Sequence, residues 1–181
     1  MKLLVACLVI LLVAMIAKTY LFSFRFQSPR DYAETGPQFD ITTHLSGEML
    51  SEGLIFGPTG KMTNSFVARM VGSWDGNTGT LTEEFRYSNG TTQNRKWYLT
   101  LGPDNTFTGT ADDLVGEAQG VVSGSTLRLS YEITLPAESG GHILQATDWM
   151  YLTADGAIMN KSEMRKFGLK VAELVATMRP N

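Results

Sequence analysis

The sequence predicts an all-β protein: a single antiparallel β-barrel of about eight to ten strands following an N-terminal hydrophobic helix. Three observations predict it. Residues 3–17, LLVACLVILLVAMIA, form one uninterrupted apolar run. From Phe39 onward the apolar residues alternate with polar ones at period two. Gly- and Asn-rich turn signals cut that alternation into short runs at regular intervals.

The N-terminal run follows Lys2, the layout of an export signal. A cleaved signal peptide would need small residues before the cut, and cutting after Ala17 would leave Met15 three residues back. An uncleaved signal anchor is the favoured reading. TYLFSF, residues 19–24, extends the segment, Lys18 can snorkel, and Tyr20, Phe22, Phe24 and Phe26 would sit at the lipid headgroups. Residues 1–24 are therefore expected to be a signal peptide or anchor. The domain is expected to be exported and membrane-associated. Residues 25–38, which include SPRDYAETGPQ, are turn-rich and without periodicity, and are expected to be a linker. Residues 39–181 are left for the barrel.

Within that region the clearest strand is 126–135. Leu127, Leu129, Tyr131, Ile133 and Leu135 share one face, and Arg128, Ser130, Glu132 and Thr134 the other. Met62, Phe66, Ala68 and Met70 alternate likewise, as do Leu81, Phe85 and Tyr87, then Trp97, Leu99 and Leu101. GPTG at 57–60, DGNTG at 75–79, SNG at 88–90, GPDN at 102–105, SGS at 123–125, SGG at 139–141 and DG at 155–156 mark the turns. The tail fits either a helix or a strand. Successive hairpins leave two open edges, which closure into a barrel removes; a β-sandwich is the competing architecture.

Composition narrows the function classes. Lys+Arg total 15 and Asp+Glu 18, a formal net charge of −3, so no basic face for nucleic acid is signalled. At 43% hydrophobic residues the chain can build a core. One cysteine and two distant histidines give neither an internal disulfide nor a metal-ligand spacing, and no cofactor is expected. No G-x-S-x-G elbow is present. GPTGKMT ends like a phosphate-binding loop but has Ile55 where the first glycine belongs, and reads as a hairpin turn. No catalytic residue is therefore assigned.

One hairpin allows register to be argued. A three-residue SNG loop with Gly90 left-handed would pair Phe85 with Gln93, Glu83 with Arg95 and Leu81 with Trp97. A two-residue loop would split the apolar residues between faces. Glu83 and Arg95 are thus expected to face each other inside the apolar layer, with the geometry of a bidentate pair. That pair could pin register or could orient the polar end of a ligand. Asp148 shares a face with Leu144, Ala146, Met150 and Leu152. Either it points inward or it sits at a rim or turn. Glu83, Arg95, Trp97, Asp148 and Trp149 are carried forward as ligand-contacting candidates.

In order along the chain, several short motifs resemble the bacterial domain of unknown function 3833 family. They are Trp74-Asp75-Gly76; Leu81, Glu83, Phe85, Tyr87 and Gly90; Arg95 and Trp97; Gly109, Ala111, Asp113, Gly116, Ala118 and Gly120; Asp148-Trp149-Met150-Tyr151-Leu152; Asp155-Gly156; Asn160, Met164 and Lys166-Phe167-Gly168. The resemblance runs from about Phe39 to Met178. It implies a lipocalin-like barrel in the Gram-negative envelope, with no established activity. Family members are often lipoproteins, but Cys7 lies too early in the apolar run for lipidation. The family's two acidic residues before Trp-Met are Thr147-Asp148 here. Family members are encoded near fatty-acid-modifying enzymes, an association that points to a lipid ligand. Two functions follow as expectations. One is a tethered barrel that binds or carries a lipid- or fatty-acid-like molecule. The other is a structural or assembly partner whose lumen is filled by its own side chains.

Overall fold

The computed structural model describes residues 2–21 and 23–181, with the side chains of Ile16, Thr19, Tyr20 and Glu138 left aside. Helix α1 covers Lys2–Leu21. Its apolar side chains are exposed around the whole circumference, Leu3 at 82% and Ile10 at 67%. Among the described residues no helix is long and apolar enough to cross a membrane. The headgroup contacts expected of Tyr20 and Phe22 lie outside the described residues.

Ten strands follow: β1 (Gly47–Phe56), β2 (Met62–Asp75), β3 (Thr78–Tyr87), β4 (Thr92–Leu101), β5 (Thr106–Thr110), β6 (Ala118–Ser123), β7 (Thr126–Thr134), β8 (Ile143–Leu152), β9 (Ile158–Lys166) and β10 (Leu169–Pro180). Each pairs antiparallel with its neighbours in sequence, and β10 pairs back onto β1, from Met49 opposite Pro180 to Phe56 opposite Glu173. Closure leaves no free edge, which removes the sandwich alternative. The ambiguous tail is strand β10. A register shift between Lys170 and Ala172 breaks its alternation, so that Ala172, Leu174, Ala176 and Met178 face inward.

The hairpin predicted around SNG forms in the predicted register. Phe85 lies opposite Gln93, Glu83 opposite Arg95 and Leu81 opposite Trp97. The loop closes with the Tyr87 N–H donating to the Thr91 carbonyl at 2.9 Å, and Gly90 has φ +86°. A side chain at that φ would be strained, which is why the loop takes glycine.

One end of the barrel is plugged. Phe39, Ile41 and Leu45 are buried there, Ile41 within a single helical turn, α2 (Ile41–His44), and the other two flanking it. The Asp40 carboxylate caps that turn, accepting from the Thr43 N–H at 2.7 Å and from the Thr42 hydroxyl at 2.8 Å. Those bonds, the Thr42 hydroxyl first, hold its carboxyl below the usual range. The Trp74 indole N–H donates to the Leu45 carbonyl at 3.0 Å. Gly72 lies beneath the plug, and a Cβ there would come within 1.9 Å of the Leu45 carbonyl oxygen. The hairpins at the opposite end surround an open mouth.

The expected linker is not slack. A capping box closes the turn at Pro29–Tyr32: the Ser28 hydroxyl accepts from the Arg30 N–H and the Asp31 carboxylate from the Ser28 N–H. Tyr32 packs 5.3 Å from the Trp149 ring and 5.8 Å from the Tyr151 ring. Both tyrosine hydroxyls donate to Gln27 Oε1. Thr35 bonds Ser125, and the Phe39 N–H donates to the Gly124 carbonyl. Residues 27–39 therefore lie along the outer wall of β6, β7 and β8 and lead to the plugged end.

Candidate ligand-binding cavity

The lumen is a cavity of about 680 Å³ reaching from the plug residue Leu45 to Asn89, Thr91 and Ser139 at the mouth. Its volume falls within the roughly 300–1,000 Å³ of small-molecule sites. The two halves differ. Near the plug the apolar lining is deeply buried: Met70, Leu81, Leu99, Phe107, Leu127 and Met178 are each buried. Toward the mouth, Ile55, Phe85, Tyr87, Ile133, Met164 and Leu174 line the cavity but remain partly exposed. The upper lumen is thus an apolar shaft with a partly exposed lining, and the lining below it is more deeply buried.

A polar cluster forms the floor of that shaft. Glu83 comes from β3, Arg95 and Trp97 from β4, Tyr131 from β7, Asp148 from β8, and Asn160 and Ser162 from β9. Register explains the grouping: Asp148 lies opposite both Leu129 on β7 and Ser162 on β9. Along these strands side chains alternate between faces, so the cluster shares the lumen with apolar residues such as Leu81, Phe85, Leu129, Ile133 and Met150.

The expected Glu83–Arg95 bidentate pair does not form, although the two residues are cross-strand neighbours. Arg95 turns instead to Asp113 in the loop between β5 and β6; its Nε donates to Asp113 Oδ1 at 3.1 Å and lies 3.0 Å from Oδ2. Its guanidinium lies 4.3 Å over the Trp97 ring and 5.6 Å from that of Tyr131. Trp97 and Tyr131 meet edge to face at 5.4 Å. Stacking on Trp97 keeps the guanidinium flat against the wall, where a loop carboxylate reaches it before Glu83 does.

Glu83 is left with Oε2 buried and partnerless, and Asp148 with Oδ1 in the same condition; Arg95 Nη2 and Asn160 Oδ1 share it. Burial pushes the Glu83 carboxyl up from 4.5 to about 7. Arg95 and a hydrogen bond to Trp97 act the other way, while Asp148 and Asp113 add to the rise. Burial also raises Asp148, against hydrogen bonds to Ser162 and Tyr131 and the charge of Arg95. Tyr131 is raised well above its ordinary value, first by burial and then by Asp148. A charged group left unsatisfied in such a site is costly, so the cluster is strongly biased toward whatever supplies its missing partners.

Of the five sequence candidates, the structure brings Glu83, Arg95, Trp97 and Asp148 together in the lumen. Trp149 is not among them. It neighbours Asp148 in the strand and so points to the opposite face, buried at 1% exposure beneath Tyr32 on the outer wall. The rim alternative for Asp148 is likewise set aside by its place in the lumen. Sequence reasoning assigned no role to Tyr131, Asn160 or Ser162. The alternation Ile158, Asn160, Ser162, Met164 after the Asp-Gly turn was the available signal for the last two.

The fold and site define a closed ten-stranded antiparallel barrel with a half-open lumen and a charged floor. The chain belongs to the DUF3833 family of proteins of unknown function, which it matches over residues 18–180. Among solved structures it is similar to the crystal structure of Rv2717c from M. tuberculosis, at 16% identity and a TM-score of 0.57, covering 82% of this chain and 99% of that one. That likeness supports the barrel fold. A second similar structure, EF1p2_mFAP2b bound to DFHBI, aligns at 10% identity and a TM-score of 0.43, covering 76% of this chain and 94% of that one. No curated protein matches the chain.

Proposed function

We propose that the protein is a membrane-tethered barrel that binds an amphipathic, lipid-like molecule in the upper half of its lumen. One observation carries this reading: a largely apolar cavity reaches the mouth and holds, in its depth, buried polar atoms that the protein itself leaves without partners. A purely structural barrel would fill its lumen with its own side chains, whereas this lumen keeps a cavity of about 680 Å³. The apolar tail of the ligand lies against Ile55, Phe85, Ile133 and Leu174, and its polar end meets Glu83, Arg95 and Asp148. Trp97 orients Arg95 rather than serving as a stacking platform.

The tether is α1, whose apolar surface is exposed on all sides and suits lipid. Docking of residues 27–39 on the wall places the segment that follows the tether in fixed contact with the barrel. Native mass spectrometry of the full chain, released gently from the membranes that hold it, tests the reading. A population carrying a mass excess of one lipid-sized molecule is expected. A chain that flies only at its bare mass, and takes up nothing when apolar molecules are added, would count decisively against it.

A further inference from the structure

The chemistry of the cavity floor goes further than the presence of a ligand. Three carboxyl groups, Glu83, Asp113 and Asp148, converge on a lining in which Arg95 is the one cation among the described residues. Asp113 already takes the Arg95 Nε. The partnerless atoms are therefore mostly acceptors: Glu83 Oε2, Asp148 Oδ1 and Asn160 Oδ1, against the single donor group Arg95 Nη2. Glu83 and Asp148 are each more than nine-tenths buried, so bulk water does not screen them. Tyr131 and Ser162, the remaining polar groups that face Asp148, are hydroxyls and bring no positive charge.

We propose that this floor selects a long-chain ligand whose polar end donates hydrogen bonds and carries no negative charge, a hydroxyl or amine head, and disfavours a free carboxylate or phosphate. The proposal rests on the ligand-binding reading above. A hydroxyl head can donate to Glu83 or Asp148 while accepting from Arg95 Nη2, and so answers both kinds of orphaned atom at once. An amine head donates more and balances the acidic excess. At pH 8, where Glu83 has lost its proton, a carboxylate satisfies Arg95 alone and adds negative charge to a buried, acid-rich site, which like-charge repulsion disfavours.

Competition tests this directly. Full-length chain in phosphatidylcholine nanodiscs is offered equimolar dodecan-1-ol, dodecylamine and dodecanoate at pH 8, and bound species are read by native mass spectrometry. The alcohol and the amine should each exceed dodecanoate by about tenfold, the scale of one uncompensated interaction of roughly 1.4 kcal/mol. Glu83→Gln and Asp148→Asn, singly and together, should shrink that preference, because the amides no longer repel the carboxylate. Dodecanoate binding as well as the alcohol at pH 8, or a preference untouched in folded variants, overturns the head-group assignment while leaving the lumen as a lipid site. Uptake of none of the three probes overturns both.

Discussion

Replacing Glu83 with glutamine should change how stability depends on pH, and the size of the change follows from the site. The carboxyl is buried and its pKa stands at about 7, against 4.5 when unperturbed. The folded state therefore holds a proton over a range in which the unfolded chain has released it. This contribution to stability is complete below pH 4.5 and is lost as pH rises through about 7. At about 1.4 kcal/mol per pH unit, the loss between those limits is about 3 kcal/mol. Glu83→Gln keeps the shape of the side chain and removes the titration. The variant should match the natural protein near pH 4.5 and exceed it by up to about 3 kcal/mol at pH 8. Urea denaturation of the full chain, followed through its three tryptophans, measures this across the range. Asp148, raised by burial in the same direction, gives both proteins a slope of its own, and the slope that remains in Glu83→Gln reports it. Parallel pH profiles for the two proteins between pH 5 and 8 would refute the claim that Glu83 is buried without an adequate counter-ion.

Three further outcomes are expected. Arg95→Met leaves Asp113 without its partner and the floor without a cation, and should cost roughly 3 kcal/mol at pH 8 and less at pH 5, read by the same denaturation. Gly72→Ala drives a methyl group into the Leu45 carbonyl and should destabilise by about 1–3 kcal/mol, with faster hydrogen exchange concentrated in residues 39–46. Trp149→Ala removes the buried anchor beneath Tyr32 and should cost about 3–5 kcal/mol. It should expose residues 27–35 to proteolysis yet leave probe uptake by the lumen unchanged, because the indole is on the outer wall.

Much of the barrel could be read from the sequence because its strands alternate cleanly and its turns carry glycine. The SNG hairpin is the strongest instance: loop length and a positive φ at Gly90 together decided which residues face inward. The same logic could have placed Trp149. Adjacent residues in a strand point to opposite faces, so Asp148 and Trp149 cannot both line one lumen. Other features were hidden for physical reasons. Arg95 pairs with Asp113, which sits in an irregular loop where period two has no meaning. The bulge between Lys170 and Ala172 shifts the inward set in β10, so a helical period seemed to fit as well. The turn at Ile41–His44 is too short to show a period. Docking of residues 27–39 depends on contacts such as Thr35 with Ser125, far apart in sequence and ordinary in composition.

The most direct test of the account is a crystal structure of the chain grown with 12-bromododecan-1-ol, using the anomalous signal of bromine to locate the tail. The hydroxyl should lie on Glu83, Asp148 and Arg95, with bromine in the apolar shaft toward Asn89 and Ser139 at the mouth. A lumen closed by its own side chains, or bromine found only on the outer wall, would contradict it.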